Sequence, residues 1–409
     1  MRARTRFATA AVHGAWDPKG LGAGMVPPID LSTTYRLPIG PDGPALMDGW
    51  VAGEELDGSP IYARLHNPTV AAFERGLARL EGADGAVAFA SGMAAMTAVL
   101  LAARVAGQGN HVVAVRPLYG GTDHLLSSGL LGLRITWATP EAVAEAIEAD
   151  TVLVIAETPG NPTLDLVDIE ALVRDAGDVP VLIDSTFATP VLQNPIAHGA
   201  TLVLHSATKF IGGHSDALGG VVAGPDAWVR RLRQVRIATG AVLHPQAGYL
   251  LHRGLATLPT RVLTQQRSAM TLAERLRAHP DVLEVRYPGL AANAGHAGIV
   301  ARQMRGPGTM IAFRVRGGSA AAQGLLGGLR VITPAVSLGS VETLIQVPAD
   351  FTHRAMDADD RAAAGIPDDL LRLSVGLEDV EDLWADLAAG LEAAREVGVD
   401  RAERVLAGV

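Results

Sequence analysis

The chain has 409 residues, 48% hydrophobic and 19% charged, with a net charge of −9, a pI near 5.7 and no cysteine. That length is too great for one small core, and the composition is that of a compact globular protein, so two domains are expected. The acidic balance and the lack of a basic run argue against a general nucleic-acid or anionic-membrane binder, while the missing thiols exclude disulfides, thiolate metal sites and a cysteine nucleophile.

The start, Met1-Arg-Ala-Arg-Thr-Arg-Phe7, is basic but leads into no apolar segment. No secretory signal is therefore expected, and a soluble cytoplasmic protein is the default. Residues 1–60 are rich in turn signals, as in Gly22-Ala-Gly-Met-Val-Pro-Pro28 and Pro38-Ile-Gly-Pro-Asp-Gly-Pro44. They read as an extended N-terminal arm that needs another surface to lie on.

From 61 to 258 short apolar runs alternate with helical segments. The strands expected are Ala86–Ala90, His111–Val115, Val152–Glu157, Val179–Asp184, Thr201–His205 and Gly219–Ala223. Helices are expected at Met93–Val105, Glu141–Glu148, Asp168–Asp175 and Pro190–His198. Strands apolar on both faces, alternating with helices, imply an α/β fold with a mostly parallel sheet covered on both sides. Ala86–Ala103, the most apolar stretch, contains Ser91 and Gly92 and reads as strand, turn and buried helix instead of a membrane span. Residues 259–409 read as a smaller α+β domain, entered by a long helix over Gly248–His279 with a break near Pro259. Its strands are expected at Val285–Tyr287, Met310–Val315 and Leu371–Val375, and its helices at Ala320–Gly328 and Val380–Glu396.

Ligands of such sheets bind beyond the carboxyl ends of the strands. Those ends carry Ser91-Gly-Met, Glu157-Thr-Pro-Gly-Asn161, Asp184-Ser-Thr and His205-Ser-Ala-Thr-Lys209. Of 34 basic residues only Lys19 and Lys209 are lysine. Arginine replaces lysine wherever a generic positive charge suffices, but not where the nitrogen must lose its proton and attack a carbonyl. Lys209 is accordingly a candidate Schiff-base lysine. Taken singly, Asp184 reads as a strand-end cap, Ser91-Gly92 as an ordinary helix cap and Tyr119 as core. Taken jointly they supply what pyridoxal phosphate requires: a lysine, a carboxylate for the pyridine nitrogen, a helix start with Ser206 and Thr208 for the phosphate, and an aromatic face.

Longer motifs carry a resemblance. Tyr62-Ala-Arg-Leu-His-Asn-Pro-Thr69, Ser91-Gly-Met-Ala-Ala95, Tyr119-Gly-Gly-Thr122, Glu157-Thr-Pro-Gly-Asn-Pro-Thr-Leu164, Asp184-Ser-Thr186 and His205-Ser-Ala-Thr-Lys-Phe-Ile-Gly-Gly-His214 are six of them. Val336-Ser-Leu-Gly339 and Arg372-Leu-Ser-Val-Gly-Leu-Glu-Asp379 complete the set. The chain resembles, nearly end to end, the pyridoxal-phosphate-dependent transsulfuration enzymes of cysteine and methionine metabolism: cystathionine γ-synthase, cystathionine γ-lyase, methionine γ-lyase and the O-acylhomoserine sulfhydrylases.

The resemblance implies the aspartate-aminotransferase-like type I fold. It also implies roles. Lys209 holds the cofactor and later shuttles protons. Asp184 pairs with the pyridine nitrogen, and Tyr119 stacks on the ring and acts as acid or base. Gly92, Met93, Ser206 and Thr208 bind the phosphate. Asn161 lies near the cofactor's phenol oxygen and the substrate carboxylate, which Arg372 grips with Ser337 beside it. Tyr62 and Arg64 reach the phosphate of a neighbouring subunit, implying an obligate dimer at least; the usual assembly in this family is a homotetramer built as a dimer of dimers. Val336 stands where cystathionine-handling members often carry glutamate, so it suits an apolar tail. Thr239-Gly-Ala-Val-Leu243 also reads like the methionine γ-lyase version of its segment.

The expected activity is carbon–sulfur γ-elimination on an amino acid such as methionine, giving 2-oxobutyrate, ammonia and a thiol. Gly121 departs from that reading, because methionine γ-lyases typically have cysteine there, and so does Ile237, where a polar residue is expected. Residues 36–60 depart most from the family. A γ-replacement enzyme and a specialised γ-eliminase on an unusual amino acid remain open, as do an aminotransferase and an inactive scaffold at greater distance. No metal ligand set is expected.

Overall fold

The computed structural model describes residues 5–14, 16, 24–107, 109–290 and 294–407, with side chains omitted at 294–296 and beyond 397. Lys19, residues 1–4 of the basic start, and Gly22 and Ala23 of the first turn-rich motif lie outside the described residues. The chain divides into two compact units. One comprises Met1–Ala114, Leu131–Ile155 and Ile169–Pro259, and the other Val115–Leu130, Ala156–Asp168 and Thr260–Val409. The segments containing Tyr119 and Asn161, which chain order had grouped with residues 61–258, thus fall in the same unit as Arg372.

The first unit is built on seven strands: β1 Gly85–Phe89, β2 His111–Val115, β3 Arg134–Ala138, β4 Thr151–Glu157, β5 Val181–Asp184, β6 Leu202–Ser206 and β7 Gly220–Gly224. Their order in the sheet is β1-β7-β6-β5-β4-β2-β3. β2 pairs with β4 and β5 with β6 in parallel, whereas β7 runs antiparallel to both β6 and β1, so the sheet is mixed. β2, β5 and β7 are buried along their whole length. That burial explains why they read as continuous apolar runs, with no alternation. β3, only half-buried, has no such run and is absent from the sequence reading.

The helix Pro68–Glu81 shows how local chemistry sets an element's limits. Asn67 accepts hydrogen bonds from the Thr69 and Val70 amides, Pro68 occupies the first turn, and Gly82 closes the helix at φ 72°. These are the preferred residues at each position. The arm is more ordered than its composition implied. Asp42–Val51 is helical, and Trp50 is buried, donates to the Ser59 carbonyl at 3.0 Å and stacks on His66 at 4.6 Å.

The second unit holds a five-stranded sheet of β8 Val282–Arg286, β9 Met310–Val315, β10 Thr333–Pro334, β11 Leu344–Gln346 and β12 Leu371–Ser374, in the order β10-β11-β12-β9-β8. Its core joins Ile311, Phe313, Leu371 and Leu373 of the sheet to Leu383, Leu387 and Leu391 of the helix Val380–Ala407. The expected break near Pro259 does not occur, for one helix runs from Pro245 to Ala278. Its buried stripe of Leu251, Leu255, Leu258 and Val262 continues through the proline. That burial offsets the roughly 3 kcal/mol an internal proline costs. Among the described residues no helix is long and apolar enough to cross a membrane.

Candidate active site

In the first unit, two strand ends and one helix start carry Asp184, Ser206 and Gly92, three of the residues expected to hold the cofactor. β5 ends at Asp184, which pairs in register with Leu204 on β6, and β6 ends at Ser206. The Asp184 carboxyl is buried. Its Oδ1 accepts from the Thr186 amide at 3.0 Å and the Thr186 hydroxyl at 2.6 Å. Among the described residues Oδ2 accepts nothing. Burial raises the pKa of this group, against the opposing bonds from Thr186 and the charge of His205. A buried carboxylate with one unanswered oxygen calls for a cationic donor.

The helix Gly92–Gly107 starts beside Ser206. A Cβ placed on Gly92 would meet Ser206 Oγ at 3.1 Å, so glycine keeps a shallow cradle open there. The first-turn amides of Gly92 and Met93 have no partner within their own helix, which suits an anion. Thr208 is partly committed: its hydroxyl accepts the Gly219 amide at 3.0 Å and lies 3.2 Å from the Gly219 carbonyl. Lys209 follows, with its amide donating to the Ser206 carbonyl at 3.1 Å. An anion cradle, a hydroxyl pair, a lysine and a buried acceptor for a pyridinium N–H together fit pyridoxal phosphate.

Elsewhere in this unit Tyr62 and Arg64 are exposed. The Arg64 guanidinium donates to the Ile237 carbonyl at 2.7 Å and lies 5.6 Å above the Tyr62 ring. One group of metal-competent donors, His111, Glu148 and Asp150, has its atoms within 4.8 Å of one another. Thr151 and Thr136 occupy both His111 nitrogens, and Arg134 bonds both carboxylates, so the group is an ion-pair network.

In the second unit Arg372 is buried on β12. Its Nη1 donates to Asn161 Oδ1 at 2.7 Å and its Nη2 to the Ser337 carbonyl at 3.1 Å. These bonds set the plane of the guanidinium, the property a bidentate carboxylate grip requires. Burial lowers its pKa to about 10, opposed by the charges of Glu157 and Tyr119. Ser337 holds a left-handed φ of 84°, rare outside glycine, and Val336 beside it is exposed. Tyr119 precedes the helix Gly120–Ser127 and is 38% exposed, so it is no core residue. Its amide donates to Glu157 Oε2 at 2.6 Å.

Glu157 and His353 belong to this cluster, and sequence reasoning gave neither a role. Glu157 could have been found by the logic applied to Asp184, since each is a carboxylate ending an apolar strand. His353 lies in a loop with no motif signal.

Residues 8–392 match the family described as Cys/Met metabolism PLP-dependent enzyme. The chain belongs to that family. Pyridoxal phosphate is thus its cofactor, and the chain is a carbon–sulfur-bond enzyme of the type I fold. Among its relatives in the Cys/Met family is the L-methionine gamma-lyase of Streptomyces avermitilis, 55% identical over 384 residues, or 94% of this chain and 88% of that protein. The L-methionine gamma-lyase of Brevibacterium aurantiacum is 55% identical over 391 residues, covering 95% and 94%. Of solved structures, cystathionine gamma-lyase from Lactobacillus plantarum complexed with L-serine superposes with a TM-score of 0.87 at 35% identity. That match covers 96% of this chain and all of the other.

Proposed function

We propose that the enzyme performs γ-elimination on L-methionine or a similar amino acid with an apolar γ substituent, consuming one water and releasing 2-oxobutyrate, ammonia and a thiol. The observation that carries this reading is the 55% identity to L-methionine gamma-lyases over nearly the whole chain. Arg372, oriented by Asn161 and the Ser337 carbonyl, holds the substrate α-carboxylate. Lys209 receives the Cα proton, and the bound cofactor supplies the electron sink that makes that proton acidic. Asp184 keeps the cofactor's ring nitrogen protonated, while Gly92, Met93, Ser206 and Thr208 hold its phosphate. Tyr119 would pack on its ring and supply a second acid or base. Departure of the thiolate from Cγ follows removal of a Cβ proton, which Lys209 is suited to take.

Val336 offers no charge to a distal ammonium, which favours an uncharged thioether tail over the charged one of cystathionine. In this reading Tyr62 and Arg64 reach the phosphate bound by a partner subunit, and the enzyme works as a cytoplasmic homotetramer. Gly121 favours a second reading, γ-replacement of an O-acylhomoserine by a thiol. Incubation with methionine, cystathionine, homocysteine and O-acylhomoserines, with and without added thiol, separates the two. The lyase reading expects 2-oxobutyrate from methionine alone. A new thioether from an acylhomoserine, with no 2-oxobutyrate from methionine, overturns it.

A further inference from the structure

We propose that His353 is a positioning residue, and that a buried hydrogen-bond relay from Gln346 through Thr352 and His353 to the Leu118 carbonyl fixes Tyr119 relative to Arg372. The inference rests on the reading of Tyr119 and Arg372 as substrate-facing groups.

The relay has three contacts. Gln346 Nε2 lies 3.1 Å from Thr352 Oγ1, Thr352 Oγ1 lies 3.1 Å from His353 Nδ1, and His353 Nε2 lies 3.3 Å from the Leu118 carbonyl. Gln346 and His353 are buried. Burial, joined by the charges of Arg372 and Arg361, pushes the imidazole down to about 4, so the ring is neutral at physiological pH. A neutral ring has one N–H. The Leu118 carbonyl can only accept, which places the hydrogen on Nε2 and leaves Nδ1 an acceptor. The single hydroxyl hydrogen of Thr352 must then point to Nδ1, and the hydroxyl oxygen accepts from the Gln346 amide. With the hydrogen on Nε2 the three contacts form one directed chain, and such a chain tolerates little displacement.

Its ends lie at the two groups the substrate needs. Gln346 on β11 is the register partner of Arg372 on β12. Leu118 immediately precedes Tyr119. The far side of Tyr119 is fixed as well. Its amide is held by Glu157, and Gly120 packs so tightly that a Cβ there would lie 2.1 Å from the Thr352 carbonyl oxygen. The backbone that presents Tyr119 is thus clamped to the Thr352–His353 loop, and the loop to the partner strand of Arg372. Neither His353 nor Thr352 is given a place in the chemistry; both act through Tyr119 and Arg372.

The test compares holoenzyme variants His353→Phe, His353→Gln and Thr352→Val with Tyr119→Phe and Arg372→Lys. The readouts are kcat and KM for methionine and the calorimetric Kd of L-norleucine, which has the carboxylate and an apolar tail but no leaving group. Cofactor absorbance and thermal melting report folding. His353→Phe is expected to lower kcat/KM about 100-fold, the penalty of displacing a reacting group by about an ångström. His353→Gln, whose side-chain amide can still donate to the Leu118 carbonyl, restores most of it. Thr352→Val weakens norleucine binding while the cofactor absorbance stays unchanged. Equal kcat/KM for the Phe and Gln variants, or unaltered norleucine binding in Thr352→Val, overturns the relay. If Tyr119→Phe and Arg372→Lys are impaired but His353→Phe is not, the relay alone fails. If those two retain wild-type kcat/KM, the substrate-site reading fails and the relay with it.

Discussion

The cofactor cluster of the first unit and the carboxylate cluster of the second are assembled in opposite ways. Asp184, Thr186, Ser206, Thr208 and Lys209 come from two adjacent parallel strands and the turns that leave them, within 26 residues of sequence. Tyr119, Glu157, Asn161, Ser337, His353 and Arg372 come from distant segments. The bond between Arg372 and Asn161 joins positions 211 apart, and that between His353 and Leu118 joins positions 235 apart. Chemistry shared by a whole family can be written in short motifs because neighbouring strand ends converge by topology alone. The second cluster depends on long-range hydrogen bonds between groups that carry little meaning singly.

The contrast can be broken by substitution, and the largest effect belongs to the local cluster. Lys209→Ala is expected to lower kcat by at least about 10^4-fold, since in the proposed function one group carries both cofactor attachment and proton transfer. Loss of the bound cofactor's visible absorbance should accompany the loss of turnover. Arg372→Lys keeps the charge but not the planar fork. It should reduce kcat/KM for methionine about 100-fold, chiefly through KM, with the cofactor spectrum unchanged. If the spectrum changed as well, the two clusters would not be separable.

Asp184→Asn tests the cofactor cluster in the opposite direction. The native aspartate has a raised pKa, so the apo-protein loses stability as pH climbs above the ordinary value of 3.8. Asparagine retains an acceptor for Thr186 and removes that cost. The apo variant should therefore melt higher than wild type at pH 7, and the holo variant lower. Melting curves with and without pyridoxal phosphate check the crossing.

The smallest effect concerns acid stability. His353 binds a proton only near pH 4 when folded, against about 6.5 when unfolded. Between those values the unfolded chain holds more protons, so stability falls as pH drops from 6.5 towards 4. Urea midpoints measured across that window should decline less steeply in His353→Gln than in the wild type. Equal slopes would show that protonation of this ring does not contribute.

The fold was largely legible where burial was complete. Six of the seven strands of the first sheet appear as unbroken apolar runs because both of their faces are covered. β3, half-exposed, and the two-residue β10 leave no such pattern. The helix Asp42–Val51 was hidden by the glycines and prolines around it, and its order comes from Trp50 stacking on His66 and bonding to Ser59. Pro259 misled because a local penalty was weighed without the buried stripe that outweighs it.

By itself the sequence pointed to the cofactor, which the family match bears out. A lysine kept among arginines, a carboxylate ending a buried strand and a glycine-led helix are each legible through residue type and local geometry. Tertiary structure alone decided that Tyr119 and Asn161 group with Arg372, that Glu157 and His353 belong beside them, and that the mixed sheet turns β7 against its neighbours. The physical reason is that a hydrogen bond between residues 200 positions apart has no periodicity and no propensity. It exists only once the packed core has brought donor and acceptor within hydrogen-bonding distance of each other.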